Sequence, residues 1–117
     1  MRQIVYKIAT VIDWRQAAAS GFYAGSADDV RDGFIHLSSK SQLAGTLEKH
    51  FRGKTGLVLV AFEEDKLAPD LKWETSRGGE LFPHLYASLP VANALWERTL
   101  DTAPAGTPLI QDEWFAC

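Results

Sequence analysis

Hydrophobic and polar positions alternate along this chain with two periods, and each change of period marks a change of element. Residues 3–9 mix Val5, Tyr6 and Ile8 with polar neighbours over a short span, which predicts an N-terminal strand. Asp13 with Gln16 three positions on has the form of a capping box, Trp14, Ala17 and Ala18 supply an apolar side, and Gly21 stands where a helix would end. These features predict a short helix. Phe22 to Ser26 reads as an extended connection, and Ala27 to Gly33 as a polar turn ending in Asp-Gly. From Phe34 to Ser38 a period of two puts Phe34, His36 and Ser38 on one face and Ile35 and Leu37 on the other.

The next stretch changes to helical spacing. Ser39 with Gln42 forms a capping box, and Leu43, Ala44, Leu47, His50 and Phe51 fall on one stripe, so a helix is predicted to end near Phe51, before Gly53. Gly56 to Phe62 is an unbroken apolar run, as expected of a central strand covered on both faces. Glu63 to Asp65 is a solvated turn. Leu71 and Trp73 then alternate with Lys72 and Glu74 in a half-buried strand that sends the carboxylate away from the indole. Residues 75–80, with Gly78 and Gly79 adjacent, form a loop of low backbone restraint. Leu81 to Tyr86 is extended, with Pro83 pointing to a sheet edge or an irregular stretch. Val91 to Leu100 fits either period and is read as a strand, and an extended tail follows.

Composition narrows the functional classes. A chain of 117 residues with 46% hydrophobic and 23% charged side chains is expected to be a single domain, residues 1–117, of α+β class with short helices. The net charge of −3 and singly scattered Lys and Arg give no basic stretch, so nonspecific nucleic-acid binding is not expected. Cys117 is the sole cysteine, which precludes an intrachain disulfide and predicts a reducing, cytoplasmic setting. No apolar run is long enough to span a bilayer, and the first seven residues lack a signal peptide's apolar block.

Two segments resemble one another: Phe34-Ile35-His36-Leu37-Ser38 and Phe82-Pro83-His84-Leu85-Tyr86. Each histidine follows a phenylalanine by two, so ring and imidazole share a face of one polar cleft, with the rings as stacking surfaces and the imidazoles as ligands for a hydroxyl or carbonyl. The plain alternative is a pair of satisfied core or rim histidines. Ser38 precedes the capped helix, whose free amides would open beside His36; Ser39 serves as its cap. Glu74 is either a carboxylate that orients an imidazole or meets a ribose hydroxyl, or an ordinary strand glutamate. Arg77 is a clamp for an anionic ligand or a solvated loop residue. Tyr23 and Tyr86 stack on a ring or sit at the core rim. His50 is read as structural. No dinucleotide-binding glycine motif, P-loop, nucleophile elbow or HExxH is present, and the histidine spacing matches no metal site.

The strings Asp32-Gly33-Phe34-Ile35-His36-Leu37-Ser38, Leu71-Lys72-Trp73-Glu74 and Phe82-Pro83-His84-Leu85-Tyr86, in that order, resemble a bacterial family of small proteins, the domain-of-unknown-function family 952. The resemblance implies a fold similar to ADP-ribosyltransferases, two small packed antiparallel or mixed sheets around a cleft that takes NAD. It implies a small nucleotide ligand, NAD or a relative, with His36 at the nicotinamide ribose, Ser38 nearby and Tyr86 or Tyr23 as the stacking ring; Arg77 as an anion clamp and Glu74 and His84 as catalytic groups are candidates from the residues themselves. Active transferases carry a glutamate on a strand after the stacking aromatic. Here Glu74 precedes Phe82 to Tyr86, and Glu97 and Glu113 lie outside the matching strings. The same cleft also suits a noncatalytic module that binds a metabolite or a protein.

Overall fold

A computed structural model describes residues 3–115, the Arg77 side chain excepted. The clamp expected of Arg77, the cysteine at position 117 and the first two residues therefore lie outside the described residues. The elements in order are β1 (Ile4–Thr10), α1 (Val11–Ser20), β2 (Phe22–Tyr23), α2 (Ala27–Asp32), β3 (Ile35–His36), α3 (Leu43–His50), β4 (Leu57–Glu63), β5 (Leu71–Thr75), β6 (Leu81–Leu85), β7 (Leu89–Pro90) and β8 (Ala94–Leu100), with short 3-10 turns between several of them.

Every strand pairing is antiparallel. The first sheet has the order β1-β4-β8 and the second β3-β6-β5, while β2 and β7 form a two-stranded ribbon between them in neither sheet. Two sheets were expected, and the ribbon is an addition that two-residue strands leave no period to announce. The two larger sheets meet where Tyr6 of β1 bridges Ser38 just beyond β3, with amide–carbonyl bonds of 2.8 and 2.9 Å.

β4 is the central strand that its apolar run predicts, buried from Leu57 to Phe62. Its alternation feeds two cores. Val58, Val60 and Phe62 join Val5, Trp14, Ile35, Leu37 and Leu85 between the sheets, while Leu57, Leu59 and Ala61 pack with Tyr6, Leu43, Leu47 and Leu100 beneath α3. An eight-residue helix is too short to be stable alone, so α3 depends on burying Leu43 and Leu47, each contributing roughly 1.5–3 kcal/mol. Ala44 and His50, placed on the apolar stripe by spacing, are instead exposed.

Three local expectations are corrected. The first helix is capped by Thr10, whose hydroxyl accepts from the Asp13 amide, so Asp13 lies in the first turn and not at the cap; Gly21 does close the helix in the left-handed region. The stretch expected to be a polar turn is α2, whose cap is the reciprocal pair Ser26 and Asp29 and whose C-cap is Gly33 at φ 85°. An aspartate at the third position does the work that capping-box sequences assign to Glu or Gln. Pro83, expected at a sheet edge or in an irregular stretch, sits in the central strand of its sheet. Its carbonyl accepts from the Leu37 amide at 3.0 Å, just past the end of β3, so its missing N–H falls at the end of that pairing and interrupts no ladder beyond it.

Gly25 carries the turn into α2. Its φ is +111°, and a Cβ there would stand 2.7 Å from the Asp29 Cβ. Gly25→Ala is therefore expected to cost roughly 1–3 kcal/mol in urea unfolding and to displace Asp29. Gly33→Ala, strained by the same sign of φ but with open space around it, provides the comparison that isolates the clash.

Candidate functional site

Cross-strand register gathers the candidate side chains on one face. In the second sheet His36 lies opposite His84, Lys72 opposite His84, and Glu74 opposite Phe82. Residues two apart share a face, so His36, His84, Phe82, Glu74 and Lys72 point one way, and Ile35, Leu85, Leu71 and Trp73 point into the core. The expectation that strand parity separates Glu74 from Trp73 holds: the indole packs on the core and donates to Glu64 at 3.2 Å.

Beside this face, where the two large sheets join, lies a cavity of about 240 Å³. Its walls come from β1 (Tyr6, Lys7, Ile8), α2 with its cap (Ser26, Asp28, Asp29, Arg31, Asp32), His36 to Ser38, α3 (Thr46, His50) with Phe51, then Ser76, Phe82 and His84. All three histidines of the chain line it.

Asp29 organises one wall. Only 2% exposed, its carboxylate accepts from Lys7 Nζ at 2.8 Å, the Ser26 amide at 2.9 Å, the His36 amide at 3.0 Å and His36 Nδ1 at 2.6 Å. Burial alone would raise its pKa. The His36 hydrogen bond, the Lys7 charge and the bonds from Lys7 and Ser26 outweigh burial and hold it well below the ordinary carboxylate range. Lys7, 4% exposed, is pulled below a usual lysine by burial, with Asp29 opposing, and also donates to the His36 carbonyl at 3.1 Å. His36 Nε2 lies 3.0 Å from Asp32, at the mouth. Carboxylates only accept, so the ring makes both bonds together only with a proton on each nitrogen.

His84 is held differently. Its Nδ1 lies 2.8 Å from Glu74 Oε1, which also accepts from the Tyr86 hydroxyl at 2.7 Å. Those two hydrogen bonds, from Tyr86 first and then His84, lower the Glu74 pKa. Phe34 stacks on His84 with centroids 4.0 Å apart and 22° between planes, and lies 4.6 Å from the His36 ring. His84 lines the cavity and Glu74 does not, and no hydrogen bond engages His84 Nε2 among the described residues.

The remaining candidates divide. Ser38 lines the cavity, but its amide and carbonyl are committed to Tyr6 and its hydroxyl lies 3.2 Å from Thr46 Oγ1. The expected Ser39 box forms, the Ser39 amide donating to Gln42 Oε1 at 2.9 Å, and Gln42 ties the helix entry to the Leu81 carbonyl. Tyr86 is an outer-rim residue, exposed, with Lys72 over its ring. Tyr23 is removed from the cleft: it is buried against Trp14, its hydroxyl has no partner, and burial first and then the charges of Asp29 and Asp13 raise its pKa. Glu97 accepts from Trp14 Nε1 at 2.6 Å, and Glu113 lies in the exposed turn Asp112–Phe115. No glutamate lines the cavity among the described residues.

Sequence reading overlooked Lys7, Asp29, Asp32 and Thr46 as site residues and set His50, which lines the cavity, aside as structural. The signals were there: Lys7 sits inside the run Val5 to Ala9, Ser26 and Asp29 have cap spacing, and Thr46 and His50 are four apart on one helix side.

Asp29→Asn leaves Lys7 buried without its charge partner and is expected to cost about 3–5 kcal/mol in urea unfolding at neutral pH. Because the Asp29 pKa is lowered by folding, its contribution is complete above the unfolded value and is lost as pH falls. The gap between wild type and Asp29→Asn should therefore be widest near neutrality, begin to narrow as pH drops below the ordinary value of 3.8, and close only further down, toward the lowered folded-state pKa.

Residues 8–97 match the family described as Protein of unknown function (DUF952). Among functionally curated proteins none matches the chain. The crystal structure of protein CC0527 from Caulobacter crescentus is 46% identical, superposes with a TM-score of 0.92 and is matched over 97% of this chain and 99% of that one. The solution NMR structure of CC0527 is 48% identical over 90% of each chain, with a TM-score of 0.81. With most of its length matched, this chain belongs to the DUF952 family.

Proposed function

We propose that the cavity binds a nucleoside-containing ligand, with NAD or a fragment of it the first candidate, in a fold of ADP-ribosyltransferase type. The observation that carries this reading is the convergence of His36, His50 and His84, from three separate elements, with Ser38 and Thr46 on one cavity. Imidazole and hydroxyl groups suit ribose hydroxyls and a carboxamide, and Phe82 supplies an apolar surface for a flat ring. At about 240 Å³ the cavity falls below the roughly 300 Å³ at which drug-sized clefts begin, which favours one nucleoside end of a dinucleotide inside and the rest outside. In this reading His36 and Ser38 serve the ribose, Glu74 and His84 stand at the reacting end, and Tyr86 meets the part outside. Tyr23 has no role.

A second reading, a noncatalytic metabolite-binding module, draws on one observation. Glu74 Oε1 is shared by His84 and Tyr86, Glu97 is committed to Trp14, and the cavity wall among the described residues holds no glutamate for a transferase reaction.

Calorimetric titration with NAD, ADP-ribose and a 2′-phosphorylated ribonucleotide tests binding. At least one should bind, and His36→Ala should weaken it by about tenfold or more, equivalent to about 1.4 kcal/mol. His36 also anchors α2, so His50→Ala, on an exposed helix side, is the companion expected to weaken binding with less cost to folding. Failure of all three ligands to bind the wild type would remove this reading.

A further inference from the structure

The wall that β1, α2 and β3 share holds six charged groups in one alternating chain. Lys7 pairs with Asp29 at 2.8 Å, Asp29 with His36 Nδ1 at 2.6 Å, His36 Nε2 with Asp32 at 3.0 Å, Asp32 with Arg31 Nε at 3.0 Å, and Arg31 with Asp28 at 3.1 Å. All six residues line the cavity. With a proton on each His36 nitrogen, as its two contacts require, three carboxylates face three cations and the wall is electrically balanced.

We infer that Asp32 is a specificity-determining residue of this cleft: it holds, from within the chain, the place where a ligand's phosphate or carboxylate would bind, and so selects a nucleoside whose ribose 2′- and 3′-hydroxyls are unphosphorylated. The inference rests on the nucleoside reading and names which members of that class fit.

The donor set around Asp32 is the first support. His36 Nε2, Arg31 Nε and a second Arg31 nitrogen at 3.4 Å all meet its carboxylate. An imidazolium beside a planar guanidinium is the combination that recognises a pair of anionic oxygens. Asp32 fills it because it adjoins Arg31 and stands four residues before His36, with the turn at Gly33 bringing the chain back. The Arg31 hydrogen bond, opposed by burial and assisted by the charges of Arg31 and His36, holds the Asp32 pKa below its ordinary value, so the group is an anion at neutral pH.

The second support is the asymmetry between a phosphate and a hydroxyl at this position. A phosphate would meet Asp32, and Asp28 and Asp29 beside it, as like charges, and would gain the His36 and Arg31 donors only by displacing Asp32. A ribose hydroxyl meets no such conflict. It donates to a carboxylate oxygen, which only accepts, and adds no charge to a balanced wall. Three donors on a carboxylate with about four acceptor positions leave room for one more, and the Asp32 side chain is 33% exposed.

Calorimetric titration of the wild type, Asp32→Asn and Asp28→Asn with ADP-ribose, adenosine 2′-phosphate and inorganic phosphate is the test. Asp28→Asn removes the same charge from the same wall, but its side chain meets Arg31 and not His36. The wild type should bind ADP-ribose and take adenosine 2′-phosphate at least about tenfold more weakly, with no heat from millimolar phosphate. Asp32→Asn should gain about tenfold or more for both phosphate probes, and Asp28→Asn less than about threefold. Wild-type affinity for adenosine 2′-phosphate equal to that for ADP-ribose, no gain in Asp32→Asn, or an equal gain in Asp28→Asn would overturn the assignment. Failure of both ADP-ribose and NAD to bind would defeat the nucleoside reading, whereas a gain of inorganic phosphate confined to Asp32→Asn would still uphold Asp32 as the resident anion. Should Asp32→Asn not fold, Asp32→Ser decides by the same comparison.

Discussion

The buried ion pair between Lys7 and Asp29 is the constraint around which this cleft is organised. Removing an ammonium and a carboxylate from water costs several kcal/mol each, and the attraction across 2.8 Å recovers that cost only if the remaining lone pairs are also filled. They are: the Ser26 amide, the His36 amide and His36 Nδ1 complete the Asp29 shell. One carboxylate thereby ties β1, α2 and β3 to a single point. Helix α2 is six residues long and would not persist alone, so its position, and with it Asp28 and Asp32, follows from that tie. Gly25 is the complementary requirement, since only a residue without a Cβ lets the backbone pass so close to Asp29.

The second constraint is sheet register. β6 runs between β3 and β5, and pairing His36 with His84 and Glu74 with Phe82 leaves the polar members of three strands on one surface while Trp73, Leu71, Ile35 and Leu85 fill the opposite core. A slip of one residue in any of these strands would bury a histidine or carboxylate and expose an indole or leucine. The hydrophobic core and the polar face are thus one requirement seen from two sides.

This is also why parts of the molecule could be read from the chain and parts could not. Periodicity identified β1, β5 and the Ser39-capped entry to α3, and an unbroken apolar run identified β4, because each buries one face or both; the β8 segment fits either period. α2 escaped because its cap uses Asp29 and its few residues offer no apolar stripe, so a six-residue stretch with four charged positions looked like a turn. Pro83 misled for a related reason: the rule against proline in central strands assumes a ladder that continues past it, and the pairing with β3 ends at Leu37, opposite Pro83. Of the site, His36, Ser38 and His84 line the cavity as their spacing suggested, Glu74 and Tyr86 support it from outside, and Tyr23 belongs to the core. Lys7 and Asp29 were missed because partners 22 residues apart show no local pattern.

The two histidines that looked alike in sequence end in opposite conditions, and the difference is the number of carboxylates each meets. His36 has one on each nitrogen, Asp29 inside and Asp32 at the mouth, together with a backbone amide and carbonyl that anchor the same network. Such a ring is well suited to hold a helix and present an edge to a ligand, and poorly suited to exchange a proton, because either nitrogen must first give up a bond. His84 meets one carboxylate, Glu74 on Nδ1, and its other nitrogen has no hydrogen bond among the described residues. The same carboxylate chemistry therefore immobilises one imidazole and orients the other. The different settings of the two imidazoles follow from where α2 ends and where β5 pairs, not from the short strings in which the two residues occur.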